Sequence, residues 1–282
     1  MAHSTPLSAP IPSEAHVPAA AQTPAHVGMW LPMVSLWRRE LVRFLRQPSR
    51  IIGLLGAPFL FWLVLGSGLG NSFQPQTATA NPGYLQYFFP GSIVMVVLFT
   101  SIFSNMSTIE DRRDGYLMSV LVTPIPRLSI VLGKILGGAT QAMIPGILFI
   151  LLAPVAGIPL SPTMLVKSTI VLFLTAFSLT GLGFVIAWQM DSTQAFHAVL
   201  NLVLMPLWML SGAIFPLDGA SVWVQWLMRL NPLAYEVSAL RAALLTPDQA
   251  MGLSFQLTLF FSALILAAGL LWCGRPSMKN FS

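Results

Sequence analysis

The sequence predicts an all-α, polytopic membrane protein. It has six transmembrane helices, an N-terminal amphipathic helix in the membrane interface, a short helical segment on the cytoplasmic face and an external re-entrant helical pair. Three observations carry this. Of 282 residues, 55% are hydrophobic and only 8% charged, with a mean hydropathy of +0.76; ordinary soluble domains carry about 25% charged residues. Apolar runs of about 20 residues, enough to cross the hydrocarbon, recur along the chain. Lys and Arg gather on alternate connections between those runs. In a soluble chain the net charge of +5 would suggest nucleic acid. Here it reflects basic cytoplasmic loops, and no nucleic-acid partner is expected. The single cysteine, Cys273, excludes an intrachain disulfide.

Residues 1–28 are rich in Ala, Pro and Ser and lack the basic start and apolar core of a signal peptide. They read as a disordered cytoplasmic tail. The segment 29–48 follows as an amphipathic interfacial helix. Trp30, Met33, Trp37, Leu41 and Phe44 recur at three- and four-residue steps, Arg38, Arg39, Arg43 and Arg46 fill the other face, and Pro48 ends it. The remainder, 49–282, is the transmembrane domain. Its spans are expected at about 51–70, 87–107, 129–153, 164–188, 196–215 and 252–273, with Pro145 a kink in the third.

Orientation follows from the basic residues. With the N-terminus inside, inner segments hold eleven: Arg38, Arg39, Arg43, Arg46, Arg50, Arg112, Arg113, Arg127, Lys134, Arg275 and Lys279. Outer segments hold three, Lys167, Arg229 and Arg241, which completes the 14 in the chain. Both termini are therefore expected in the cytoplasm.

Two connections stand out. Residues 105–134 hold Glu110, Asp111, Arg112, Arg113 and Asp114, then Gly115, a short apolar stretch containing Leu117 and Leu121, and the breaker Thr123-Pro124-Ile125-Pro126. A charged segment and short helix between two spans suit the docking of a soluble partner. The other reading is a solvated loop joining two helices. Residues 216–251 are too polar to cross. Asn231-Pro232 divides them as N-cap and first helical position. Asp218 is expected to cap the first helix, and the second carries Tyr235, Glu236 and Arg241. Glu236 and Arg241 are left to reach Arg229, Asp218, a second protomer or water.

Several chemistries find no motif. Gly133-Lys134 lacks the glycine spacing of a phosphate-binding loop, so this chain is not expected to hydrolyse ATP. There is no metal-ligand cluster, nucleophile elbow or catalytic pair, so no catalytic or metal residue is expected. Gly66-x-x-x-Gly70 and Gly133-x-x-x-Gly137 allow close helix approach. Spans one, two, five and six hold no ionisable residue in their interior. A transport driven by ions usually keeps such residues at the midplane, so the driving energy is expected from a partner. An ATP-independent channel or sensor would need polar rings lining a pore, and the spans show scattered Ser and Thr.

Phe89-Pro90-Gly91 through Glu110, then 115–124, Arg127 and Gly133-Lys134, followed later by Leu230-Asn231-Pro232-Leu233-Ala234-Tyr235 with Arg241, resemble the membrane subunit of type-2 ABC exporters, the ABC-2 permease family. The likeness covers about 30–282. It implies a cytoplasmic coupling helix, with Glu110, Asp111, Arg112, Arg113, Gly115, Leu117 and Leu121 contacting an ATPase. It also implies an external gate at Asn231, Pro232, Tyr235, Glu236 and Arg241. The expected partners are an ABC ATPase subunit, a second permease copy and membrane lipid. No cofactor is expected in this chain, since ATP and Mg would be bound by the ATPase. The expected activity is outward movement of a lipophilic or amphipathic substrate across a bacterial cytoplasmic membrane. One departure is Tyr116 and Met118, where the family commonly has Thr and an acidic residue.

Overall fold

The computed structural model describes residues 28–69, 83–116, 119–120, 125–250 and 252–274. The expected tail, Gly70, most of the first external loop, Leu117, Met118, Leu121 and the basic end at 275–279 lie outside them, as do the side chains of Asp218 and Trp272. The described chain is helical, without a strand. In order it forms α1 (Trp30–Leu45), α2 (Pro48–Gly68), α3 (Tyr84–Arg113), α4 (Arg127–Ile150), a 3-10 turn (Ala153–Ala156), α5 (Pro162–Ala187) and α6 (Thr193–Trp208). A π turn (Met209–Ala213) and a second 3-10 turn (Leu217–Gly219) lead to α7 (Val222–Leu230), α8 (Pro232–Leu245) and α9 (Leu253–Gly274).

Among the described residues five helices are long and apolar enough to cross a bilayer: α2, α3, α4, α5, and α6 with its π turn. α9 occupies the place of the expected sixth span, and its described apolar stretch, Leu253–Ile265, is shorter. α3 is the central helix. In its apolar window 89% of residues are buried, against 22% in α2 and 33% in the α6 segment. Of these five spans, α2 and α6 keep the most side-chain surface open to lipid or to another chain.

Aromatic rings fill the α2–α3–α4 junction. Trp62 meets Phe89 at 5.3 Å and Phe149 at 5.8 Å between ring centroids, and its indole donates to Leu85 O at 3.0 Å. Edge-to-face pairs at these distances add about 0.5–1.5 kcal/mol each beyond their buried area. Small residues set the other seams. A methyl group at Gly138 would stand 2.5 Å from both Ser104 Oγ and Thr180 Cγ2, so α4 can touch α3 and α5 only because position 138 has no side chain.

Two boundaries differ from the sequence expectation. α3 does not stop near residue 107 but continues through the charged run to Arg113. Its carboxylates are neutralised by α1 and α4, so the helix can carry them. The fifth span runs Thr193–Ala213, starting three residues and ending two residues before the expected bounds, and closes in the five-residue π turn, where Gly212 adopts φ +75°. Only glycine takes that left-handed conformation at little cost.

Candidate functional sites

The expected helix at 29–48 forms, but its apolar face rests on protein. α1 runs parallel to α4 with a register offset of about one hundred residues. Ser129 Oγ donates to Met29 O at 2.9 Å, Trp37 Nε1 to Thr140 Oγ1 at 3.0 Å, and Gln141 Nε2 to Glu40 O at 3.0 Å. Methyl groups at Gly133 and Gly137 would stand 3.0 Å from Leu36 Cβ and 2.9 Å from Glu40 Cβ. The Gly-x-x-x-Gly pair of α4 thus receives α1. The buried residues of α1 are Pro32, Met33, Leu36, Glu40 and Phe44, whereas Trp30, expected on that face, is exposed.

Glu40 is the residue that sequence reasoning missed. It lies one turn from Leu36 and one from Phe44, an acid on the apolar face, and is 3% exposed. Around it sits a closed ion cluster. Lys134 Nζ lies 2.7 Å from Glu40 Oε1 and also pairs with Asp111. Arg39 forms a bidentate fork on Asp111, at 2.8 and 2.6 Å. Arg43 bridges to Glu110 at 3.1 Å and Asp111 at 3.5 Å. Ser107 Oγ donates to Glu40 Oε2 at 3.1 Å. Three cations face three carboxylates, and the charges balance: Glu40, Asp111 and Lys134 are buried, while Arg39, Arg43 and Glu110 join them to the surface. The Asp111 carboxylate holds the Arg39 guanidinium above the ordinary arginine range. The same guanidinium lies 3.8 Å from the Tyr116 ring centroid, so the cluster reaches the start of the expected coupling helix.

The residues expected to couple therefore divide by location. Asp111 is buried at 2% exposure inside the cluster. Arg112 donates to Trp188 O at 2.6 Å and to Met190 O, and pairs with Asp191 at 2.9 Å. It thereby caps the C-terminus of α5, where a cation complements the helix dipole. Glu110 is half-exposed, and Arg113 and Gly115 are exposed. Gly115, at φ +72°, turns the chain away from α3. Beside this turn Leu31, Pro32, Leu36, Tyr116, Val120 and Ile125 line an apolar groove.

At the other end, Asn231 is the N-cap of α8 as expected. Its Oδ1 accepts from Leu233 N at 3.0 Å, Pro232 is the first helical residue, and its Nδ2 donates to Leu207 O at 2.5 Å. The α7 N-cap is Ser221 rather than Asp218. Tyr235 Oη donates to Arg229 O at 2.6 Å. Trp223 and Trp226 are exposed, at 68% and 61%.

Neither Glu236 nor Arg241 has the partners or the open water considered from sequence. Arg241 Nη2 donates to Gly212 O at 2.8 Å, and its guanidinium lies 4.3 Å from the Tyr87 ring centroid. Tyr87 Oη donates to Gly212 O as well, at 3.0 Å. The broken end of α6 is thereby tied to both α3 and α8. Glu236 is 1% exposed. The Ser178 hydroxyl of α5 is its polar neighbour, and burial shifts its carboxyl upward toward the neutral acid. Among the described residues no group of His, Cys, Asp and Glu is arranged to hold a metal ion.

Comparison with known proteins agrees with this architecture. The chain is 29% identical to a "Putative transport permease ycf38" of Cyanophora paradoxa, over 73% of this chain and 71% of that protein. It is 28% identical to the "Inner membrane transport permease YadH" of Escherichia coli K12, over 75% of this chain and 82% of that protein. It is 26% identical to the "Nodulation protein J" of Sinorhizobium fredii, over 89% and 96% respectively. A family model described as ABC-2 type transporter matches residues 33–245; the chain belongs to that family of transport permeases.

Proposed function

We propose that this chain is the permease subunit of an ATP-binding cassette exporter. It moves a lipophilic or amphipathic substrate, such as a drug, a lipid or a lipid-linked glycan, outward across the cytoplasmic membrane. A separate ATPase subunit supplies the energy and holds the ATP and Mg. The observation that carries this reading is the neutral ion cluster of Glu40, Lys134, Asp111, Arg39, Arg43 and Glu110. It locks the ends of α1, α3 and α4 into one body next to the exposed turn at Arg113–Gly115. A load applied to that turn by a docked ATPase is then passed to two spans and α1 together.

In this reading Glu110, Arg113, Gly115, Leu117 and Leu121 meet the ATPase, while Asp111 and Arg112 hold the turn in place. The apolar groove between α1 and Tyr116 adds contact area. The external pair α7–α8 closes the exit, with Asn231, Pro232, Tyr235, Glu236 and Arg241 as its frame. α9 serves as the sixth span, with both termini in the cytoplasm. The open sides of α2 and α6 suit a homodimer in lipid. The likeness to an inner membrane transport permease of Escherichia coli supports the inner membrane as this chain's location.

The test is to purify the chain with its associated ATPase in lipid nanodiscs and to measure hydrolysis against a panel of lipophilic compounds. Substrate-stimulated hydrolysis is expected. A pure permease that retains no ATPase under gentle extraction, and that conducts ions in planar bilayers, would instead indicate a channel.

A further inference from the structure

Three buried side-chain atoms among the described residues lack a hydrogen-bond partner: Thr175 Oγ1, Glu236 Oε2 and Arg241 Nε. Two of them belong to one seam. Thr175 stands one turn from Ser178 on α5, the same face that meets Glu236 of α8. Thr175 is 0% and Glu236 1% exposed. The third wall is α9, whose Ser262 Oγ donates to Leu174 O at 3.2 Å and to Thr258 O at 2.9 Å.

Among the described residues no cation faces the carboxyl. Arg241, on the same helix, points the other way, to Gly212 O and Tyr87. Lys167, at the outer end of α5, is held by Pro247 O and Gln249 O. α9 contributes no titratable side chain over 253–265, and the titratable groups of α3 nearest this region, Tyr84 and Tyr87, donate to Ile214 O and Gly212 O. A narrow crevice lined by Lys167, Val171, Ala239, Ala243, Gln249 and Phe255 enters between α5, α8 and α9 from the same end. Its inner residues, Val171 and Ala239, lie one helical turn above Thr175 and Glu236. The crevice therefore lies in the same α5–α8–α9 seam as the two unpartnered oxygens.

We propose that Glu236 is a proton site. It carries a proton while α8 is packed against α5 and α9, and it gives that proton to external water when α8 moves out, so opening of the exit is linked to one proton. An ionised carboxylate with no counter-charge is costly at this depth, whereas the neutral acid needs only hydroxyl partners such as Ser178 and Thr175. The α8 arm of this proposal rests on the gate reading above.

The sign follows from linkage. Packing raises the carboxyl above the solvated glutamate value of about 4.3, so the packed state binds the proton more tightly. Acid favours the packed gate. Raising the pH above about 4.3 favours the open one, by up to about tenfold per pH unit, until the packed carboxyl also ionises.

The experiment uses the full permease in liposomes and needs neither ATPase nor substrate. Infrared spectra across pH should show the carbonyl stretch of a protonated carboxyl at neutral pH. It should disappear on alkaline titration and be missing in Glu236→Gln. In a Cys273→Ser background, a cysteine at Ala239 is labelled with an impermeant thiol reagent from outside. A cysteine at the exposed Asp248 corrects for thiol ionisation. The corrected rate should climb with pH in the parent and stay flat, at its acid level, with Glu236→Gln. A spectrum without the protonated band at neutral pH overturns the proton site, even if Glu236→Gln fails to fold. Equal labelling slopes in both backgrounds overturn the link to opening. Neither failure would alter retention of an ATPase, so the export reading is tested apart from this one.

Discussion

Glu40 and Lys134 meet at 2.7 Å with each side chain 3% exposed, although 94 residues separate them in the chain. Removing one partner of such a pair leaves an uncompensated buried charge, which typically costs about 3–5 kcal/mol. Glu40→Gln or Lys134→Met should each lower the unfolding transition in detergent by that order. The double variant should lose less than the sum of the two. Additive losses would show that the two groups do not interact.

The division of the charged run is testable by co-purification. Ala at Glu110 and Arg113 should release the ATPase at a stability loss no larger than that of the half-exposed Glu110–Arg43 pair, about 0–1 kcal/mol. Ala at Asp111 or Arg112 should lower stability as well, because each holds a second element. Full ATPase retention in the Glu110/Arg113 variant would place docking elsewhere.

Packing of α1 on α4 predicts a thiol pattern. In a cysteine-free background, a cysteine at Leu36 should resist aqueous reagents and one at Arg38 should react. Gly137→Leu places side-chain atoms where Glu40 Cβ already stands. It should detach α1 and make the Leu36 position reactive. Unchanged protection in Gly137→Leu would argue that other contacts hold the helix.

The proposed external placement of α7 and α8 makes two predictions. Cysteines at Trp223 and Asp248 should both react with an impermeant reagent outside; labelling of either only from inside would mean that the segment crosses. Asn231→Ala removes the α8 cap and the bond to Leu207 O together. Loss of a cap alone costs about 0.5–2 kcal/mol. A melting transition unchanged from the parent would show that the cap contributes nothing here.

Much of the fold was legible in the chain itself. Apolar runs and their interruptions located five helices able to cross, and Asn231-Pro232 marked a helix start that the structure reproduces, since a cap and a fixed φ act locally. The misses are tertiary. Glu110 to Arg113 read as a docking segment or a solvated loop beyond the span, and nothing nearby in sequence reveals that Lys134, Arg39 and Arg43 neutralise Glu110 and Asp111 within α3. Glu40 was readable as an acid on an apolar face; its meaning needed the lysine on another helix. Sequence leaves Glu236 to reach Arg229, Asp218, a second protomer or water, because its burial against α5 depends on a helix far away in sequence.

The hundred-residue offset between α1 and α4 also sets an order of manufacture. A ribosome adding roughly 5–20 residues per second needs about 5–20 s to travel the 94 residues from Glu40 to Lys134. For that interval Glu40 has no lysine, Asp111 does not yet exist or has only arginines for company, and the apolar face of α1 has no glycine groove to enter. The first helix made thus cannot be seated until α4 has been made. Release of a nascent chain stalled before residue 134 would leave that face open to chaperones and proteases.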